Sequence, residues 1–363
     1  MRLLLIYRTL AQGEADAHQI YGFKMYRREL RKKLGISVKM VRALRLRDIQ
    51  SAVETHRADI AVIMVHWSER AEDVVALFRN LGGRPHRPKL VFLDYYAPTC
   101  SPHFAVLPYV DRYIKRQVLV DRSIYQQTLE GGFVFTDFLA KEMNYRIGPW
   151  FFGSTPDPAL MHKVVYGWNF GVSPGSRSML RLNRLLHRDW SRRVFAINQR
   201  IGIAPIHSGA DEWYQQYRRF CAERLKSVGR KFPSSAGGRT GRGRYLLELM
   251  RSRVVFSPFG WGELCFRDYE AVCCGALLIK PSMAHLQTSP NIFVEGRTYV
   301  AVRWDLSDLE DKIRHFLENP SEAQELVGNA MDCLHDYYEH DGFVKDVART
   351  LEGFLRPSRQ SED

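Results

Sequence analysis

The strongest constraint on this chain is a series of short, unbroken apolar runs separated by stretches with helical spacing. Residues 3–6 (LLLI), 60–65 (IAVIMV) and 90–93 (LVFL) contain no polar side chain. A strand that is apolar on both faces must be covered on both faces, which is the signature of a parallel sheet sandwiched by helices. The intervening segments supply those helices. Phe23, Tyr26, Leu30 and Leu34 share one side of a helix predicted over 20–34, and Ala71, Val74, Val75, Phe78 and Leu81 recur with the same period. Residues 36–41 add another strand.

The pattern then repeats. Residues 194–197, 253–256 and 276–279 read as strands, with helices over 213–228 and 266–274 and a further one marked by Leu306, Leu309, Ile313, Phe316 and Leu317. Between the two runs, residues 98–175 are irregular and end in the turn Ser173-Pro174-Gly175. The expected organisation is therefore two doubly wound α/β domains, 1–175 and 176–340. A terminal segment, 341–363, carries Phe343, Val347, Leu351 and Phe354 at helical spacing and needs an apolar surface to lie on. A length of 363 residues suits two ordinary domains, and 45% hydrophobic residues can fill two cores, which excludes a disordered chain.

The charge is unusual in sign. Lys and Arg number 53 against 40 Asp and Glu, a net charge of +13, which calls for an anionic partner. Nucleic acid, an anionic membrane face and a phosphorylated substrate all satisfy it. Part of the surplus forms a stripe, Lys24, Arg27, Arg28 and Arg31, opposite the apolar face of the first helix and extended by Lys32 and Lys33. It reads either as a solvated face or as an attachment to an anionic leaflet. Another part lies in a Gly/Ser/Arg-rich stretch over 229–244, with Arg230, Lys231, Arg239, Arg242 and Arg244, which reads as a mobile loop, either solvated or gripping phosphate. The six cysteines form no C-x-x-C pair, so a reduced protein without a zinc site is expected. No run approaches the ~20 apolar residues of a spanning helix. A cytoplasmic protein follows, soluble or peripheral on the inner face of the membrane.

The segment richest in chemistry is 257–281, SPFGWGELCFRDYEAVCCGALLIKP. It follows a strand, so Gly260 and Gly262 fall in the turn before a helix, where backbone can approach a ligand and free N–H groups attract phosphate. Farther along that helix, Glu270 is placed to accept hydrogen bonds from both hydroxyls of a ribose, with Arg267 beside it. A turn of the form G-x-G-E, then R-x-Y-E-A, then C-G-A before an apolar strand resembles the nucleotide-sugar half of GT-B glycosyltransferases, chiefly family-1-type and spore-maturation-type bacterial enzymes, with a distant echo of exostosins. The likeness runs from about residue 245 to 317. It implies the GT-B architecture: two Rossmann-like domains facing a cleft, the donor held mainly by the C-terminal one, and the last helix returned to the N-terminal one. Many members carry two glutamates eight positions apart, the first on the sugar and the second on the ribose. Glu270 matches the second; eight positions before it stands Gly262, with Glu263 one residue later.

The resemblance further implies a basic residue near the donor diphosphate, for which Arg200 and Lys280 are candidates. Glu263 reads equally as a sugar contact or a helix-terminal charge, and His207 and Ser208 as turn residues. On the acceptor side, sugar transfer with inversion needs a base. Asp94 and His66 follow strands at their carboxyl ends, and His18 is a third candidate. There is no D-x-D in the chain, and neither a metal nor a cofactor beyond the nucleotide-sugar co-substrate is expected. The expected reaction is transfer of a sugar from a nucleotide diphosphate to a polysaccharide, lipid-linked or glycolipid acceptor. A nucleotide-sugar epimerase and a basic nucleic-acid-binding protein are the alternatives, and no specific nucleic acid is expected.

Overall fold

The computed structural model describes residues 1–8, 15–148, 153–186, 189–203, 212–238 and 240–355; Arg239, His207, Ser208 and the final residues 356–363 lie outside them. The first half runs β1 (Arg2–Tyr7), α1 (Ala15–Met25), α2 (Arg27–Leu34), β2 (Ser37–Arg42), α3 (Leu46–Thr55), β3 (Ile60–Ile63), α4 (Ala71–Gly82), β4 (Lys89–Asp94), β5 (Arg112–Lys115), β6 (Gln117–Leu119), α5 (Val134–Met143) and β7 (Val164–Tyr166). The second runs α6 (Pro174–Leu186), β8 (Phe195–Asn198), α7 (Glu212–Lys231), β9 (Ser234–Ser235), α8 (Arg242–Met250), β10 (Ser252–Phe256), α9 (Phe266–Cys273), β11 (Leu277–Pro281), β12 (Leu286–Thr288), β13 (Val300–Val302), α10 (Leu309–Glu318), α11 (Pro320–Glu339) and α12 (Gly342–Thr350).

Two parallel sheets result. The first has the order β2-β1-β3-β4-β5-β7 and the second β13-β11-β10-β8-β9. The unbroken apolar runs are their central strands, buried on both faces. Between 98 and 175 the structure adds β5 and β7 to the first sheet. Their short lengths and mixed composition hide them from periodicity. The helix expected over 20–34 divides at Tyr26, whose φ of -110° and ψ of 25° fall outside the helical range.

The stretch over 229–244 is also more ordered than its composition suggests. α7 continues to Lys231, β9 pairs with β8 at the sheet edge, and α8 begins at Arg242.

Several connections join the halves. β6 and β12 form an antiparallel pair, with Val118 opposite Gln287. Where the chain crosses from one sheet to the other, the Asn169 amide donates to Thr288 Oγ1 at 2.8 Å and to the Pro290 carbonyl at 3.0 Å. At the other end, α12 lays Phe343, Val344, Val347 and Leu351 on a cluster containing Phe23, Tyr26 and Trp168. Burying such side chains contributes about 1.5–3 kcal/mol each. Gly22 is needed there, because a methyl group at that position would run into the Phe343 ring. Among the described residues, no helix is long and apolar enough to cross a membrane.

Candidate active site

The turn after β10 is locked by buried charge. Lys280, on β11 and fully buried, sits 3.1 Å from Asp268 Oδ1, and Ser257 Oγ donates to the same oxygen at 2.5 Å. The other Asp268 oxygen accepts the backbone N–H of Cys265 at 2.9 Å, which caps α9. Lys280 is therefore committed inside the domain, and the expectation that it meets the donor diphosphate is corrected. A buried lysine with a carboxylate partner is a structural strut whose charge is already spent.

Gly262 and Glu263 are corrected too. A methyl on Gly262 would collide with the carbonyl of Ala97 in the loop after β4, so this glycine serves the approach of the two halves. Glu263 is fully buried and accepts a hydrogen bond from Thr99 Oγ1 at 2.9 Å, while the Gln117 amide donates to the Ala97 carbonyl at 2.5 Å. Burial pushes the Glu263 carboxyl above its usual range. The cap of α9 comes from Cys265 and Asp268, leaving Glu263 as an inter-sheet contact. Gly260 lies beside the Tyr214 ring, 3.8 Å from where its Cβ would be, so packing leaves room for a side chain there.

Glu270 belongs to a different group. Its Oε1 is 3.0 Å from Arg242 Nη1, at the start of α8, where the sequence pointed to Arg267 as its neighbour. Close by, Glu248 on α8 takes both Arg200, through Nε and Nη2 (2.8 Å), and Arg244, through Nε at 3.1 Å. Ser235 Oγ completes its shell at 2.8 Å. These hydrogen bonds, Arg200 first, hold the Glu248 carboxyl down at about 2. Arg267 adds a fourth guanidinium within the field of Glu270 and Tyr245. Four guanidinium groups thus surround two carboxylates, and the cluster keeps a cationic surplus. It lies where β8, β9 and β10 hand over to loop and helix, at the carboxyl ends of a parallel sheet, the position at which such sheets hold ligands.

On the facing side, the three candidate bases separate. Asp94 accepts from Lys115 Nζ at 2.9 Å, Tyr113 OH at 2.8 Å and the Tyr96 N–H at 2.8 Å, and is buried. Burial alone would raise its pKa, but the charge and hydrogen bond of Lys115 outweigh it and leave the carboxyl lowered. A buried, ion-paired carboxylate cannot reach an acceptor hydroxyl, so this assignment is corrected. His66 lies on a turn with Nδ1 2.6 Å from Ser68 Oγ and its ring tilted on Trp67. His18 meets the other half: its ring centroid is 4.6 Å from Phe266 at the start of α9, and 6.0 Å from Phe170 on its own half.

Burial, then the charge of Arg116, brings the His18 pKa down from 6.5 to about 4. A lowered histidine pKa means that the unfolded chain binds the proton first. Stability should therefore rise with pH between about 4 and 6.5 and flatten above. The difference in unfolding free energy between wild type and His18→Gln is expected to change by about 1.4 kcal/mol per pH unit between pH 5 and 6. Denaturant titrations across that range test it, and a pH-independent difference would show that the imidazole is not held neutral.

Residues 185–347 match the model of a family described as glycosyl transferase-like. The whole fold is shared with an α,α-trehalose-phosphate synthase (UDP-forming) from Burkholderia xenovorans in complex with glucose-6-phosphate, at 12% identity and a TM-score of 0.50, covering 96% of this chain and 100% of that one. The chain has the GT-B fold, and the segment matched by the glycosyl transferase-like family is its second half. An α-glucosyltransferase in complex with UDP is also similar (10% identity, TM-score 0.49, 95% of this chain and 99% of that one). So is WaaG, a glycosyltransferase involved in lipopolysaccharide biosynthesis (10%, 0.43, 97% and 100%). No curated protein sequence matches. Among the described residues, no group of three or more His, Cys, Asp or Glu side chains could hold a metal ion.

Sequence reasoning missed Glu248 and the pairing role of Arg242. Arg242 was visible only as one arginine of a basic stretch. Glu248 gave no signal, because its partner Arg200 lies 48 residues away.

Proposed function

We propose that this glycosyltransferase moves a sugar from a nucleotide diphosphate to a glycan, lipid-linked or glycolipid acceptor, with the donor in the crevice between α8 and α9. The observation that carries the reading is the cationic surplus around Glu270 and Glu248. In this reading Glu270 accepts the ribose hydroxyls, and Arg200, Arg242, Arg244 and Arg267 surround the diphosphate. As the bond between the anomeric carbon and the diphosphate oxygen breaks, negative charge grows on that oxygen. Cations gathered around the diphosphate stabilise that charge more than they stabilise the ground state. The acceptor oxygen forms the new bond to the anomeric carbon and loses its proton, and His18 is the group on the opposing half best placed to act there.

The reading includes a metal-independent reaction, since the guanidinium groups supply the charge compensation a divalent ion would give. It also includes a peripheral site at an anionic leaflet. Lys24, Arg27, Arg28 and Arg31 are all exposed on α1 and α2, each worth on the order of 1 kcal/mol near such a surface. Arg27 also donates to the Val38 carbonyl at 3.1 Å. No observation favours an epimerase or a nucleic-acid-binding protein.

A thermal-shift panel of UDP-, GDP-, ADP- and CMP-linked sugars in EDTA tests the donor reading. Stabilisation by one nucleotide class is the expected outcome, with sugar transfer to added acceptor lipids or glycans then followed by NMR. No stabilisation by any of them would count against the crevice as a donor site, and stabilisation only on adding a divalent ion would count against metal independence.

A further inference from the structure

The arginine bound to Glu270 poses a question that the donor reading leaves open. If Glu270 is to accept the ribose hydroxyls, its lone pairs must be available, yet Oε1 lies 3.0 Å from Arg242 Nη1. Glu270 is nearly buried, with a side chain 11% exposed, whereas Arg242 is 71% exposed. The two partners therefore differ sharply in freedom. The carboxylate is fixed on α9, and the guanidinium reaches it from solvent. An ion pair with one partner in solvent is weak, so an incoming ligand can displace it.

The surroundings of Arg242 fit such an exchange. Gly241 and Gly243 flank it, and a Cβ at either would meet no atom within 4 Å, so packing does not require glycine at either position. α8 starts at this residue with Gly241 as its cap and no capping side chain, which leaves the first N–H groups of the helix pointing out beside the guanidinium. The positive charge of Arg242 is felt on the opposite half by His18 and on its own half by Cys274. The other guanidinium groups of α8 and β8 are held elsewhere: Arg200 and Arg244 both bind Glu248.

We propose that Arg242 is an exchanging arginine: it occupies Glu270 in the empty enzyme and passes to the donor diphosphate when the ribose hydroxyls take the carboxylate. This rests on the reading of Glu270 as the ribose ligand and adds to it a rule of selection. In a nucleotide the ribose and the diphosphate are joined through a single methylene, so a guanidinium displaced by one is within a side chain's swing of the other. A nucleoside must break the Arg242–Glu270 pair and offers nothing in return. A nucleoside diphosphate breaks the same pair and gives the guanidinium a stronger, doubly charged partner. Arg242 thus penalises unphosphorylated nucleosides and rewards diphosphates, and it returns to Glu270 when the product nucleotide leaves.

Calorimetric titration of uridine and UDP, guanosine and GDP, and adenosine and ADP into wild type, Arg242→Gln, Arg242→Lys and Glu270→Gln separates the possibilities. Arg242→Gln should bind the preferred nucleoside a few-fold more tightly and its diphosphate about tenfold more weakly. The two effects have opposite sign, which a merely structural role would not produce. Arg242→Lys should recover part of the diphosphate affinity, because it keeps the charge. Arg242 is exposed, so these variants should keep the far-ultraviolet circular dichroism of the wild type. Equal shifts of nucleoside and diphosphate in Arg242→Gln, or none, overturn the exchange while leaving Glu270 as the ribose ligand. Undiminished binding of both ligands to Glu270→Gln overturns the ribose reading itself, and no binding of any of the six ligands to wild type overturns both.

Discussion

Replacing Lys280 by Met is expected to destabilise the protein by about 3–5 kcal/mol, the range typical of breaking a buried ion pair from one side. Methionine fills most of the space of the lysine stem, so lost packing is a small part of the cost. The larger part is Asp268, fully buried and left without the ammonium 3.1 Å away. Asp268 cannot move to water, because it also holds Ser257 Oγ and the Cys265 N–H at the start of α9. The double variant Asp268→Asn, Lys280→Met should recover a large share, since a neutral amide needs no counter-charge and its oxygen can still accept the cap hydrogen bond. Guanidinium denaturation of the three proteins measures this. A single variant within 1 kcal/mol of wild type would mean that the pair carries little of the turn's rigidity, and the account of why residues 257–265 hold their shape would fail.

The second large effect concerns activity. Glu270→Ala is expected to raise the donor KM by about a hundredfold or more while the protein stays folded. Two hydrogen bonds from ribose hydroxyls to a carboxylate are each worth about 1.5–3 kcal/mol, and both are lost together. Stability should change little, because the partner released, Arg242, is already mostly in solvent. Glu270→Gln, which keeps one acceptor oxygen, should fall between. Steady-state kinetics with varied donor, alongside thermal unfolding, separates the two quantities. An unchanged donor KM in a folded Glu270→Ala enzyme would remove the residue from the site.

These two residues mark how far the sequence could be read. Lys280 and Glu270 lie ten positions apart in one motif, and both read as donor ligands through that motif's resemblance to the nucleotide-sugar half of GT-B enzymes. The structure separates them by burial. Lys280 is part of a strand covered on both faces, so its side chain points into the domain and meets Asp268. Glu270 sits on the helix face that borders the crevice. Spacing along a chain specifies which element carries a residue, but the face it occupies is set by how that element packs. Asp94 was misread for the same reason: it does follow the apolar run of β4, yet Lys115 on the neighbouring strand β5 pairs with it from within the sheet layer. Gly262 shows the complementary error. A glycine in a strand-to-helix turn reads as room for a ligand, and here the room is filled by the Ala97 carbonyl.

The sequence by itself determined the class of fold. Unbroken apolar runs have no stable solution other than central parallel strands, and helical spacing between them leaves one way of covering the sheet. That logic is local and survives without knowledge of long-range contacts. What only the tertiary structure decided is which charges remain available. Arg200 and Glu248, Arg242 and Glu270, Lys280 and Asp268, and Lys115 and Asp94 are pairs formed by residues brought together from different elements. A charge serves a ligand only where its partner can be exchanged or where charges of one sign are in excess, and both are properties of neighbours in space. The +13 of the sequence therefore pointed to an anionic partner, and the fold gathered Arg200, Arg242, Arg244 and Arg267 around Glu248 and Glu270, one place where cations outnumber carboxylates.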